Sequence, residues 1–133
     1  MKTIKALIVH ASASPDGRDD RAEDIHRWHK EFGWDGIGYH YVVDRDGTIE
    51  FGRPWYWMGA HVRGNNANTI GICLIGTKDF TEAQHDSLQA IITRERETHP
   101  DAIVRGHNDY DKRKADPNFD VPEWATARVI DPK

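Results

Sequence analysis

The sequence predicts one α/β domain over residues 1–133, a central mixed β-sheet flanked by helices. Three observations predict it. Short β-rich apolar runs alternate with stretches of helical period, in the order β-α-β-β-β-α-β-α. One run, residues 70–76, is almost wholly apolar, as a strand covered on both faces should be. The length suits one domain and is enough to bury roughly two-thirds of the surface of the unfolded chain.

The elements follow in order. Residues 4–10 read as a buried strand, and Pro15 and Gly17 break the chain in the polar loop behind it. Residues 19–32 read as a helix, with Ile25, Trp28 and Phe32 at i, i+3 and i+7 and Gly33 as its stop. Residues 38–51 read as a hairpin. Tyr39, Tyr41 and Val43 alternate with His40, Val42 and Asp44, and Asp46-Gly47 supplies the turn. An aromatic loop, 54–59, and a polar loop, 63–68, lead to the apolar strand. Thr81 and Gln84 frame a capping box that opens a helix to about Thr98, with Leu88, Ile91 and Ile92 inward and Pro100 beyond its end. Residues 102–106 form another short strand, and Asp120, Val121 and Pro122 open a last helix.

Composition narrows the function classes. Apolar residues make up 38%, below the roughly 45–50% of average domains, but five Trp, four Tyr and four Phe supply large areas to bury. The net charge of −4, from 18 Lys+Arg against 22 Asp+Glu, gives no support for nucleic-acid binding. Cys73 is the single cysteine, so no intrachain disulfide forms. No apolar run approaches the roughly 20 residues of a spanning helix. The apolar stretch 6–9 is too short for the core of a signal peptide, so neither leader nor membrane anchor is expected.

Eight histidines invite a metal hypothesis, and position sorts them. His10 and His107 each end a strand just before a loop, where sites gather in α/β sheets. The loop after His107 is long enough to fold back and offer a carboxylate from Asp116, with Asp109 and Asp111 competing for that place. Two histidines, one carboxylate and an open fourth position make a catalytic zinc arrangement.

Several blocks make the sequence resemble a known family. They include residues 8–13 around His10, Gly38-Tyr39-His40, Gly59-Ala60-His61, residues 68–76, Gly106-His107-Asn108 and Lys114-Ala115-Asp116-Pro117. In order, over about residues 6–124, they resemble the zinc-dependent N-acetylmuramoyl-L-alanine amidases, specifically the small phage lysozyme-type enzymes. These share a fold with the peptidoglycan recognition proteins. The resemblance implies one Zn2+ held by His10, His107 and Asp116, with Tyr39 and Lys114 as catalytic residues. It implies hydrolysis of the amide between N-acetylmuramic acid and L-alanine in peptidoglycan. It also implies a monomeric endolysin, made in the host bacterial cytoplasm and acting on the cell wall after release. The sequence departs from the resemblance twice. Phage relatives carry Cys where Asp116 stands, and the muropeptide amidases carry a Glu base where Cys73 stands, so the general base is left open.

Lesser features carry their own expectations. His61, Arg63, Asn65 and Asn66 are candidates to line a groove for sugar and peptide groups. Trp55, Tyr56 and Trp57 either stack on sugars or cap the core. His26 and His29 read as helix-surface residues, Asp44 and Asp46 as turn residues rather than a calcium loop, and Cys73 as an inert buried thiol. Two rival functions are a non-catalytic peptidoglycan-binding module and a regulator of phage RNA polymerase, which some amidases of this type bind. The presence of Asp116, Tyr39 and Lys114 favours the enzyme.

Overall fold

A computed structural model describes residues 3–128, 130 and 131. Five strands form one sheet: β1 (Ala6–Ala11), β2 (Tyr41–Val43), β3 (Ile49–Phe51), β4 (Thr69–Leu74) and β5 (Ile103–Gly106). Their order across the sheet is β3-β2-β4-β1-β5. Only the β2–β3 hairpin is antiparallel; β1 runs parallel to both β4 and β5, and β2 runs parallel to β4. The mixed sheet between helices is as the sequence predicts.

The interior strands β1, β2 and β4 are buried along their whole length. For β2 the alternating pattern does not mean one wet face. The strand lies inside the sheet between β3 and β4, and both its faces are packed: Tyr41 and Val43 join one apolar cluster, with Leu88 and Ile92, and Val42 joins another, with Ile25. The hairpin is also shorter than expected: Tyr39 and His40 lie ahead of β2, although His40 N–H still bonds to Gly71 O at 2.9 Å.

The two faces of the sheet divide the work. Leu7 and Val9 of β1, Val43, and Ile70, Ile72 and Leu74 of β4 meet Leu88, Ile91 and Ile92 of α2 (Glu82–Thr98) and Val121 of α3 (Val121–Ala127). The opposite face carries Val42 and Cys73, which pack with Ile25 of α1 (Ala22–Glu31), Ile37 and Ile75. That face also presents His10, for the period of two sends it opposite to Val9.

The helix ends follow local chemistry. Thr81 Oγ1 accepts from Gln84 N–H, and the Gln84 side chain accepts from Thr81 N–H. The same amide donates to Val43 O and Ile75 O, which ties the start of α2 to the ends of β2 and β4. Asp120 caps α3 by accepting from Glu123 N–H. Helix α1 is shorter than the predicted 19–32, because Arg21 is extended and Asp24 caps its N–H. Phe32 therefore falls past the last turn and is 72% exposed rather than core-facing. In the aromatic loop Trp55 packs on the core, whereas Tyr56 and Trp57 are exposed. Among the described residues no helix is long and apolar enough to cross a membrane.

Asp44 closes the β2–β3 turn from inside the protein. It is buried and accepts from Arg21 Nη1 at 2.9 Å. Burial first, and the neighbouring Glu50 carboxyl second, push its pKa up to about 7. An unfolded aspartate titrates near about 3.9. The folded state therefore holds a proton that the unfolded chain releases, a contribution present in acid and lost as pH rises through about 7. Asp44→Asn cannot ionise. Its melting temperature relative to wild type should rise between pH 5 and pH 8, as read by calorimetry at both.

Candidate metal centre

Strand β1 lies between β4 and β5, and its register pairs Val9 with Gly106. The next residues, His10 and His107, therefore leave the sheet side by side. His107 starts a 3-10 turn, His107–Asp109, and the loop behind it returns to the site. Asn108 makes that return. Its N–H donates to Asp116 O at 3.0 Å, and its side-chain amide donates to Ala115 O and Phe119 O, each at 3.3 Å. Asp116 Oδ2 then accepts from Ala11 N–H at 3.3 Å.

Three ligand-type atoms converge as a result. His10 Nδ1 and His107 Nδ1 are 3.1 Å apart, and the Asp116 carboxylate lies 3.2 Å from His107 Nδ1 and 3.5 Å from His10 Nδ1. Donors about 2.0–2.1 Å from a tetrahedral zinc stand roughly 3.3 Å from one another. The observed triangle matches that edge length, so the residues fit the ion. Among the described residues this is the one group of three such side chains able to hold a metal.

Protonation is also suited to binding. Burial lowers the His10 pKa to about 4, so its ring is neutral. Burial alone would raise Asp116, but the adjoining His10 and His107 rings outweigh it and hold the carboxyl well below its ordinary range. Two neutral imidazoles and one carboxylate are the forms that ligate. The competing aspartates are committed elsewhere: Asp109 caps Gly106 N–H at 2.7 Å, and Asp111 accepts from Arg113 three times.

His107 brings the triangle to a groove of about 690 Å³ that is also lined by Trp34, Tyr39, Val62, Arg63 and Lys114. The Tyr39 ring is 5.1 Å from that of His10. Burial, then the neighbouring Cys73 and Asp116, push the Tyr39 hydroxyl pKa well above its usual value. Cys73 is fully buried, and burial drives its thiol up as well, the inert state expected of it. Lys114 is exposed on the groove wall, on a turn closed by its N–H to Asp111 O.

Other expectations sort differently. His26 is exposed as expected, but His29 is buried. Their Nδ1 atoms accept Ile37 N–H and Gly38 N–H, so α1 holds the segment that carries Tyr39, and His29 is no surface residue. Arg63 and Asn66 line the groove, while Asn65 lies outside that lining. Asn66 is a loop clamp, its Oδ1 accepting from His61 N–H and Val62 N–H. His61 touches the groove, yet its two nitrogens face His10 Nε2 at 2.9 Å and Thr69 Oγ1 at 3.2 Å. It is thus spent inside the protein rather than offered to a sugar. Trp34 and Arg113 also line the groove, and neither spacing nor periodicity marks them beforehand.

Comparisons with known proteins show the family. The sequence profile of the N-acetylmuramoyl-L-alanine amidases matches residues 1–119. The endolysin of Enterobacteria phage T3 is 38% identical over 130 residues, covering 92% of this chain and 85% of that protein. The amidase LysC from Clostridium intestinale superposes with a TM-score of 0.85 at 28% identity, over 96% of this chain and 86% of its own. Bumblebee PGRP-SA superposes with a TM-score of 0.83 at 25% identity, over 95% and 82%. By profile, relatives and fold alike, the chain belongs to the N-acetylmuramoyl-L-alanine amidase family.

Proposed function

We propose that the protein is a zinc-dependent endolysin that cleaves the amide between the lactyl group of N-acetylmuramic acid and the L-alanine of the stem peptide. The observation that carries this reading is the triangle of His10 Nδ1, His107 Nδ1 and the Asp116 carboxylate beside an open groove that also holds Lys114. A zinc ion there supplies Lewis acidity, polarising an amide carbonyl and lowering the pKa of water to about 7.

The chain's own groups have distinct tasks. Asp116, held as a carboxylate, gives the ligand set its one negative charge. Lys114 offers its ammonium to the carbonyl oxygen as that oxygen gains charge in the transition state. A preorganised donor of this kind typically contributes about 2.7–4 kcal/mol. Tyr39 stays a phenol at neutral pH, because its pKa is raised, so its hydroxyl donates or relays a proton and is no base. Cys73 stays a thiol, which removes a cysteine acyl-enzyme from the scheme. Arg63 presents a cation to polar groups of sugar or peptide. Every one of these groups comes from one chain, so the site needs no second copy to be complete. The phage relatives support action on the bacterial wall after release from the host cell.

Purified peptidoglycan treated with zinc-restored protein should gain alanine amino termini and no reducing sugar ends, while metal-free protein yields neither. New reducing ends would overturn the reading. Lys114→Ala should lower kcat by about 10²–10³-fold with metal affinity kept. Asp116→Ala should weaken zinc binding in calorimetry, whereas Asp111→Ala should leave it unchanged, since Asp111 bonds to Arg113 and not to the triangle. Undiminished zinc binding and full activity in Asp116→Ala would dismiss that ligand.

A further inference from the structure

His10 can ligate through Nδ1 only if its proton sits on Nε2, because a neutral imidazole carries one N–H and one lone pair. The structure holds the means to decide this, two residues away from the site. Thr69 is buried at the start of β4. Its Oγ1 lies 2.8 Å from Asn65 O and 3.2 Å from Asn66 O. Carbonyl oxygens only accept, so the single hydroxyl proton of Thr69 is used there. Toward His61 Nε2, 3.2 Å away, the hydroxyl can therefore only accept, and His61 must carry its proton on Nε2. That leaves a lone pair on His61 Nδ1, which faces His10 Nε2 at 2.9 Å. His10 must then be the donor in that bond, and its Nδ1 is left bare toward His107 and Asp116.

The backbone leaves room for the His61 ring in this position. A Cβ at Gly71 would stand 2.6 Å from its Cγ, and one at Gly59 would stand 2.5 Å from its Cδ2. Two glycines thus leave a slot shaped to the ring, with the ring of His40 edge-on at 5.8 Å.

We propose that Thr69 and His61 are positioning residues: they form a directional hydrogen-bond relay that sets the tautomer of His10 and keeps Nδ1 ready for the metal before any ion arrives. The relay rests on the reading of His10 as a ligand. It assigns His61 an inward role in place of substrate contact. Partners of this kind behind a ligating histidine typically alter metal affinity about 10–100-fold.

The test has two arms. In metal-stripped wild-type protein, long-range 1H–15N spectra of the histidine rings should show His61 and His10 both protonated at Nε2. A proton on His10 Nδ1 would overturn the relay, whatever the protein does to peptidoglycan. In the second arm, zinc affinity is measured by competition with a chromophoric chelator for Thr69→Val and Thr69→Ser. Thr69→Val removes the acceptor and should weaken zinc about 10-fold or more, with the His10 proton moving to Nδ1 in the ring spectra. Thr69→Ser keeps the oxygen and should restore both wild-type affinity and wild-type tautomers, a rescue that loss of packing alone would not give. Unchanged zinc affinity in a folded Thr69→Val protein would also overturn the proposal. Should that variant not fold, the wild-type ring spectra decide alone. Wild-type protein that binds no zinc would fail the metal-centre reading, and the ring protons would still report on the relay separately.

Discussion

The register of β1 between two parallel neighbours is the constraint on which the site depends. It sets Val9 against Gly106 and His10 against Cys73. The residues one step further, His10 and His107, emerge together at the carboxyl ends of adjacent strands, where α/β sheets build their sites. A slip of one residue would turn His10 to the α2 face and bring an aliphatic side chain in its place. What prevents the slip is packing. Leu7 and Val9 are fully buried among the α2 residues, and Ile8 is buried on the opposite side near Val62. Each such side chain contributes about 1.5–3 kcal/mol. The geometry of the triangle is thus inherited from the apolar pattern of six residues.

The two faces of the sheet spend this stability differently. Beneath α2 the interior is almost purely apolar, with Leu88, Ile91 and Ile92 over the strands. On the other face imidazoles share the interior with apolar residues such as Ile25, Val42 and Ile75: His10, His29, His40 and His61 are all buried. Each has partners. His40 accepts Gly71 N–H at Nδ1 and reaches Trp57 O with Nε2, and His29 takes Gly38 N–H. Burial lowers the pKa values of His10, His29 and His61, to about 4 for His10 and about 2 for His61. These rings serve as neutral hydrogen-bonding struts at ordinary pH. A polar interior of this sort rigidifies only when its members are satisfied.

Much of this arrangement was legible in the sequence. Strand periodicity located His10 and His107, and capping chemistry located α2 and α3. Asp116 could not be separated from Asp109 and Asp111 by spacing, because the choice is made by the Asn108 clamp and by backbone groups that each aspartate meets only after folding. His29 escaped for a related reason. A polar residue that accepts a buried backbone N–H has the same sequence signature as one facing water. The aromatic loop divides residue by residue, Trp55 meeting His99 edge-on with ring centroids 5.1 Å apart while Trp57 is 57% exposed. Nothing in a run of three aromatics encodes that division.

Cys73 has a practical consequence. It is the single cysteine of the chain, it is fully enclosed, and its thiol is held in the protonated form. Thiol reagents act through the thiolate at an accessible sulfur. The native protein is therefore silent toward maleimides without any cysteine having to be removed. One cysteine introduced on an exposed loop, at Tyr56 or Trp57 for instance, would carry a fluorophore, spin label or surface tether at a single known place. The chain is in this sense already a background-free scaffold for attaching probes beside an intact site.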